Sequence, residues 1–404
     1  MKKVELLAPA GNFSKLKTAI HFGADAVYLG GKEFSLRAKA DNFSYEELAL
    51  AVSYAHEQGV KVYVTCNIFP KNADFPTAET YFQYLESIKV DAVLITDVGM
   101  LSLVKECAPT LPVHISTQAN TLNARAVDFW HKQGAERVVL ARELSIQEIK
   151  EIHEYNPTCE LEAFVHGAMC ISYSGRCLLS NYLTTRDANR GECVQACRFH
   201  YTLTETQSGK VLELDEDSHG AYLLNSKDLN MIRHLPLLMA AGVDSFKIEG
   251  RMKSEYYLAT VVSAYRKAID FYTAGGEVLP EEIANIPEKT AHREFTQAYA
   301  LGDNEKTVNY LDSGSKGSSV FIAQVLQGEQ GRALVEMRNR FQVGDMLEIL
   351  SANKEADGKR FTVTQMTDEA GEEVLDAKLV QQKLWVTLPY TLTEGDILMA
   401  DAKN

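Results

Sequence analysis

The sequence predicts an α/β chain: a (β/α)8, TIM-like barrel with a cysteine-rich insertion after its seventh strand, then a small C-terminal all-β barrel domain. Three observations lead there. Short apolar runs alternate with helix-period segments through about residue 275, and strands that alternate with helices pair in parallel, because each crossover needs a helix. The approach to a strand repeats one pattern, as in Gly23-Ala-Asp-Ala-Val, Gly134-Ala-Glu-Arg-Val and Gly242-Val-Asp-Ser-Phe. From about Gly317 the helical period disappears and only short strand-like runs remain.

The expected barrel strands are Val4–Ala8, Ala26–Leu29, Lys61–Thr65, Ala92–Ile95, Val113–Ser116, Arg137–Leu140, Leu161–His166 and Ser245–Glu249. The expected helices between them are Asn12–Phe22, Tyr45–Gln58, Ala78–Ile88, Gly99–Cys107, Ala124–Gln133 and Ile146–Tyr155. Gly23, Gly59, Gly134 and Gly242 stand where helices stop before the next strand. Eight such strands favour closure into a barrel over an open doubly wound sheet. Nearly 80 residues separate strands seven and eight. An excursion of that length in a compact domain is usually functional, and after a barrel strand it falls on the active-site face. Its later part, Asp228–Ala241, reads as the missing helix.

The domain reading follows: residues 1–279 form the barrel, with the insertion at about 167–227; residues 280–316 form a linker with helical segments; residues 317–404 form the β domain. Its expected strands are Val320–Leu326, Arg332–Met337, Met346–Leu350, Arg360–Gln365, Leu384–Thr387 and Ile397–Met399, and the turns Val343-Gly-Asp345 and Glu394-Gly-Asp396 each precede a strand.

Composition narrows the class. The apolar fraction is 46 % and charged residues are 24 %, ordinary for a globular protein. No apolar run is long enough to span a bilayer, and Met1-Lys-Lys-Val-Glu-Leu-Leu enters a strand-like segment at once, so neither a membrane span nor a signal peptide is expected. The net charge of −14 argues against a surface that attracts nucleic acid everywhere. Locally the balance reverses: Arg176, Arg186, Arg190 and Arg198 face only Asp187 and Glu192 between residues 176 and 198.

Four of the seven cysteines, Cys170, Cys177, Cys193 and Cys197, fall within 28 residues with the spacing C-x6-C-x15-C-x3-C. Thiolates gathered this way hold a soft metal centre, zinc or an iron–sulfur cluster. Zinc sites favour two tight knuckles, and only the second pair is close, so the loose first spacing suits a cluster assembled from a long loop. Cys66, Cys107 and Cys159 stand alone in apolar or periodic segments and read as core. Reduced thiols without a disulfide framework suggest a cytoplasmic protein.

Hydrolase motifs are missing: there is no Gly-x-Ser-x-Gly and no His-Glu-x-x-His. Ser172, Ser174 and Ser180 lie near His166 in sequence. Glu162 and His166, four apart on an expected strand, would share a face and are the candidate catalytic pair. The plainer reading is that Glu162 pairs with an arginine inside the barrel and His166 is a satisfied polar residue. Gln118 and Asn120 fall at the barrel rim, where they could read a uracil edge or cap the next helix. Tyr173, Tyr182 and Phe199, interleaved with arginines, could stack on bases or cover a cluster.

Glu162-Ala-Phe-Val-His-Gly-Ala-Met-Cys170-Ile-Ser-Tyr-Ser-Gly-Arg-Cys177-Leu-Leu-Ser180 closely resembles the signature of peptidase family U32, the collagenase-like proteins. Leu6-Leu-Ala-Pro-Ala-Gly-Asn12, Ala26-Val-Tyr-Leu-Gly-Gly31, Arg190-Gly-Glu-Cys-Val-Gln-Ala-Cys-Arg198, Asn225-Ser-Lys-Asp-Leu229 and Lys247-Ile-Glu-Gly-Arg-Met-Lys253 resemble further family blocks. The family name implies a peptidase. Several members are instead iron–sulfur proteins supporting hydroxylation of tRNA, ribosomal RNA or ubiquinone precursors. The two-domain type seen here resembles those that make 5-hydroxyuridine at the tRNA wobble position with prephenate. The resemblance thus implies a [4Fe–4S] cluster on Cys170, Cys177, Cys193 and Cys197, prephenate as cofactor, tRNA as partner and a paralogous family member as a further partner. Prephenate is a dicarboxylate and needs fixed cationic groups. Arg37, Arg142, Lys247 and Arg251, at strand ends, are the candidates.

Overall fold

Eight parallel strands close into a barrel in the computed structural model, which describes residues 3–36, 41–199, 203–204, 211–212, 226–302 and 314–402. They are β1 (Glu5–Pro9), β2 (Ala26–Leu29), β3 (Lys61–Cys66), β4 (Ala92–Ile95), β5 (Val113–Ile115), β6 (Arg137–Val139), β7 (Glu160–Ala168) and β8 (Ser245–Ile248). Strand β8 completes the ring: Ser245 aligns with Glu162 of β7 on one side and with Glu5 of β1 on the other.

The crossovers are helices for local reasons. Asn12, Ser44, Asp97, Asn123, Ser145 and Ser254 each cap a helix by accepting from a first-turn amide. Ser44 and Ser145 complete capping boxes with Glu47 and Glu148, each cap contributing about 1 kcal/mol. Gly134 and Gly242 hold φ of +91° and +90°, the left-handed turn that releases the chain into the next strand.

Strand alternation divides the apolar side chains between two cores. Leu7, Tyr28, Tyr63, Leu94 and Val139 fill the barrel. Leu6, Ala8, Val27, Leu29, Val62 and Val64 face outward against the helices. The 19-residue helix Glu255–Thr273 is the most deeply embedded, with 13 buried residues.

One segment departs from expectation. Residues 228–241 are not one helix. Asp228–Asn230 is a strand, antiparallel to the end of β7 (Asp228 with Ala168, Asn230 with His166) and parallel to Phe295–Thr296. The cause is β7 itself, which runs past the barrel and leaves an edge to be paired, and the buried pair Asp228–Arg293 that pins the strand. The helix is only Leu235–Ala240, with Pro236 in its first turn.

The chain beyond the barrel carries a seven-stranded antiparallel sheet, in the order Arg360–Thr362, Met346–Leu350, Ile397–Asp401, Ser319–Glu329, Arg332–Met337, Lys383–Thr387 and Met366–Thr367. It encloses its own core around Val325, Val335, Phe341 and Leu398. The barrel meets it through Tyr256 stacked on Phe321 at 5.4 Å between ring centroids and His21 Nε2 at 2.8 Å from Asp396. Among the described residues no helix is long and apolar enough to cross a membrane.

Candidate functional site at the barrel mouth

The carboxyl ends of the strands open into a cavity of about 80 Å³. Tyr28, Thr65, Leu94 and Phe164 reach it from the strands; Ser116, Thr117, Gln118, Arg142, Glu249 and Arg251 reach it from the loops that follow them. This is the face on which barrel enzymes place their chemistry.

A charged ladder closes the cavity from below. Lys247 Nζ lies 2.6 Å from Glu162 Oε1, and Arg137 Nη1 lies 3.2 Å from Glu162 Oε2 and 2.6 Å from Glu5 Oε1. Tyr63 and Ser245 donate to Glu5 at 2.7 and 2.8 Å. Burial alone would raise the Glu5 carboxyl, but the charge and hydrogen bonds of Arg137 outweigh it and hold the group below the usual carboxylate range. The Lys247 ammonium also sits over the Tyr28 ring at 4.5 Å. Glu162 is thus fully enclosed between two cations.

His166 is elsewhere. Between Lys247 and Ile248 the register with β7 slips by one residue: Phe164 aligns with Lys247, but His166 aligns with Ile248. The extra residue is a β-bulge, and it reverses the facing of everything beyond it. The expectation that Glu162 and His166 share a face therefore fails. Glu162 points into the barrel, while His166 packs outside it against Tyr257, Tyr265 and Phe295, with ring centroids 5.4 to 6.0 Å away. Burial pushes its pKa down to about 3, against the opposing pull of Asp228.

The three cations among the described residues differ in their commitments, while Arg37 lies outside those residues. Arg251 donates to Ser35 Oγ (2.7 Å), Thr65 Oγ1 (2.8 Å) and the Leu36 carbonyl, so it fastens the loop after β2 to β3. Gly30 makes room for it, since a Cβ there would lie 2.5 Å from its guanidinium. Lys247 is bound to Glu162. Arg142 donates through Nη1 to the Ala168 carbonyl at 2.9 Å and lies over Phe164 at 5.3 Å, yet its buried Nε has no hydrogen-bond partner among the described residues. Gln118 Oε1 and Asn120 Nδ2 are likewise buried without partners, and such groups are costly unless something completes them.

The lining residues missed as candidates include Tyr28 and Glu249. The Tyr28 hydroxyl donates to the Ile248 carbonyl at 2.9 Å and lies 3.2 Å from Glu249 Oε2. The strand period carried the signal: with Lys247 inside the barrel, Glu249 must follow it.

The cysteine loop is strapped across this mouth. On the β6 side, the Ser174 amide donates to Glu143 Oε1 at 2.9 Å, and Gly175 (φ +73°) lies so close to Gln118 that a Cβ would come within 2.1 Å of its carbonyl oxygen. On the β3 side, Arg190 grips Asp74 with two bonds of 2.9 and 3.1 Å and donates to the Phe69 carbonyl at 2.8 Å. Inside the loop, the Val194 amide donates to Ser180 Oγ at 3.2 Å and Asn189 Nδ2 donates to the Cys177 carbonyl at 3.3 Å, so the second half of the loop is tied to the first.

Cys170 and Cys177 are in direct contact. The hydrogen bond between them lowers the Cys177 thiol and raises Cys170. Cys197 is half-buried, and burial raises it while Arg198 opposes. Cys193 is exposed. Four thiols on one loop, two already touching, are a donor set whose chemistry fits an iron–sulfur cluster. The four are not drawn together as the chain stands: among the described residues no group of three or more Cys, His, Asp or Glu side chains is arranged to hold a metal ion. Cys66 and Cys159 are buried and Cys107 is half-buried.

Comparison with known proteins sets this site in a family. The model for peptidase family U32 matches residues 11–310, and that for the U32 C-terminal domain matches residues 318–398. The chain belongs to peptidase family U32. It is 42 % identical to tRNA hydroxylation protein P1 of Bacillus subtilis, over 93 % of this chain and 89 % of that one. It is 35 % identical to the 23S rRNA 5-hydroxycytidine C2501 synthase of Escherichia coli, over 81 % of this chain and 46 % of that one. It is equally, at 35 %, identical to a collagenase of Porphyromonas gingivalis, over 79 % of each chain.

Proposed function

We propose that the chain acts in RNA hydroxylation, as a tRNA hydroxylase that converts wobble uridine to 5-hydroxyuridine with prephenate. The observation that carries this reading is the four-cysteine loop fastened beside the barrel mouth through Glu143 and Asp74, next to a polar, cation-bearing cavity, in a chain similar to proteins named for tRNA and ribosomal RNA hydroxylation. A [4Fe–4S] cluster on Cys170, Cys177, Cys193 and Cys197 would supply one-electron redox chemistry at the mouth. The residues of the cavity bind and orient. Arg142, whose buried Nε has no partner among the described residues, offers charge to a dicarboxylate, while Lys247, which also lines the cavity, is held by Glu162. Gln118 Oε1, at the cavity wall, can accept from a uracil N3–H. A tRNA and a paralogous family member are the partners of this reading.

The test is genetic and chemical. Deleting the gene in a strain without a redundant paralogue should remove 5-hydroxyuridine-derived nucleosides from digested tRNA; unchanged tRNA and ribosomal RNA profiles would sink the reading. Anaerobically isolated protein should carry iron and sulfide with a cluster absorbance.

The collagenase relative favours a second reading, a peptidase. The arrangement of residues speaks against it: Glu162 is sealed between Arg137 and Lys247, His166 lies outside the barrel, and Ser174 is bound to Glu143. Cleavage of gelatin by protein free of contaminating proteases would restore it.

A further inference from the structure

The cysteine loop bears the densest run of exposed apolar and aromatic side chains in the barrel part of the chain. Tyr173 (56 % exposed), Leu178 (70 %), Tyr182 (86 %), Leu183 (46 %) and Phe199 (44 %) all project from it within 27 residues. A protein rarely leaves such a surface bare unless something docks there. The loop is not loosely attached: Glu143 holds one side and Asp74 the other, and Ser180 and Asn189 brace its interior. Its apolar side chains are therefore presented outward by a fixed support.

Charge identifies the occupant. The chain as a whole carries −14, yet with Arg190 taken up by Asp74 the stretch from Cys170 to Phe199 still sets Arg176, Arg186 and Arg198 against Asp187 and Glu192. Asp187 is occupied in capping the Asn189 amide at 2.9 Å, and Arg176 is exposed beside Tyr173. Basic groups interleaved with aromatic faces suit unpaired nucleotides, whose bases stack while their phosphates meet the arginines. An apolar protein partner would need neither the arginines nor three aromatic rings.

We infer that the outer face of residues 173–199 is a docking surface for single-stranded RNA, with Tyr173 and Tyr182 as stacking platforms and Arg176 as a phosphate contact. This rests on the RNA reading of the barrel mouth and deepens it: the surface rims the doorway to the cavity, so a loop of RNA bound there presents a base to Gln118 and Arg142. The overall negative charge repels RNA elsewhere and confines binding to this patch.

The experiment is a titration of fluorescently labelled, in vitro transcribed tRNA against full-length protein, read by anisotropy at several salt concentrations. Tyr173→Ala and Tyr182→Ala should each weaken binding roughly tenfold. Arg176→Ala should lower the slope of log Kd against log salt by about one. Val380→Ser, at a 90 % exposed site in the C-terminal sheet region, should bind as the parent does. Because Tyr173 and Tyr182 are solvent-facing, thermal melts of these variants should overlay the parent's, separating docking from folding. If the parent binds tRNA and both tyrosine variants bind equally well, the docking surface is wrong while the RNA reading stands. If the parent does not bind tRNA, both fall. If the tyrosine variants instead lose only a co-purifying protein, the patch is a protein interface and the inference is overturned.

Discussion

Lys247 Nζ and Glu162 Oε1 meet at 2.6 Å inside the barrel, where neither side chain is more than 4 % exposed. The other Glu162 oxygen serves Arg137, so one carboxylate satisfies two enclosed cations. Removing it strands both. Glu162→Gln should lower unfolding free energy by roughly 3 to 5 kcal/mol, and adding Lys247→Met should recover part of that loss. Urea denaturation of the three proteins decides; an unchanged midpoint for the single variant would refute the structural role.

His166 predicts a pH dependence. Its folded pKa of about 3 lies below the ordinary histidine value, so the unfolded chain binds the proton more readily. Its contribution is complete above about pH 6.5 and declines as the pH falls towards 3. His166→Gln should flatten that limb of the stability profile. The parent and variant losing stability in parallel between pH 6.5 and 4 would contradict the assignment.

The four loop cysteines should behave as a set. Serine at Cys170, Cys177, Cys193 or Cys197 should each reduce iron and sulfide in anaerobically purified protein, since oxygen is a poor substitute for thiolate at such centres. Serine at Cys66, Cys107 or Cys159 should leave the metal content alone. Full iron retention in Cys197→Ser alone would place the fourth ligand elsewhere.

Arg190 ties the loop to the far rim, so Arg190→Ala should release that end while the Glu143 anchor remains. Limited trypsin digestion should then cut after Arg186 or Arg198 several-fold faster, with barrel fragments intact and global stability changed by only about 1 kcal/mol. Equal digestion rates would show that the Asp74 contact does not restrain the loop.

Arg142 offers an uncommitted donor to the cavity. On the proposed reading, Arg142→Gln should raise the half-saturating concentration of prephenate roughly tenfold, the scale of one charge-assisted hydrogen bond, with little change in tRNA affinity. A loss confined to tRNA affinity would move Arg142 from the small-molecule site to the RNA.

The barrel was legible because its signals are local: capping residues such as Ser44 and Ser145, the glycines after helices, and apolar runs of strand length each act within a few residues. The spacing of the four cysteines is just as local, and it places all of them on one loop after β7. What was not legible depends on register. The bulge that turns His166 outward leaves little trace in sequence beyond Gly167 (φ +106°), whose missing side chain lets the Glu249 carbonyl approach. The strand at Asp228–Asn230 depends on Arg293, 65 residues away, and a helical apolar period in Leu235–Ala240 masked it. Gln118 and Arg142 could be placed at the rim, but only the folded chain shows which of their atoms are left without partners.

The ladder of Glu5, Arg137, Glu162 and Lys247 makes the barrel a blind alley. With the bottom plugged by charge and by Tyr63, the described residues leave the cavity open at its mouth. If the proposed small acid and RNA both use that passage, they must queue: the acid would enter first, the bulky polynucleotide would stopper it in, and the RNA would have to lift away before the spent acid could escape. The plug at one end would thus impose a timetable at the other, and a steady-state pattern of random addition would be at odds with it.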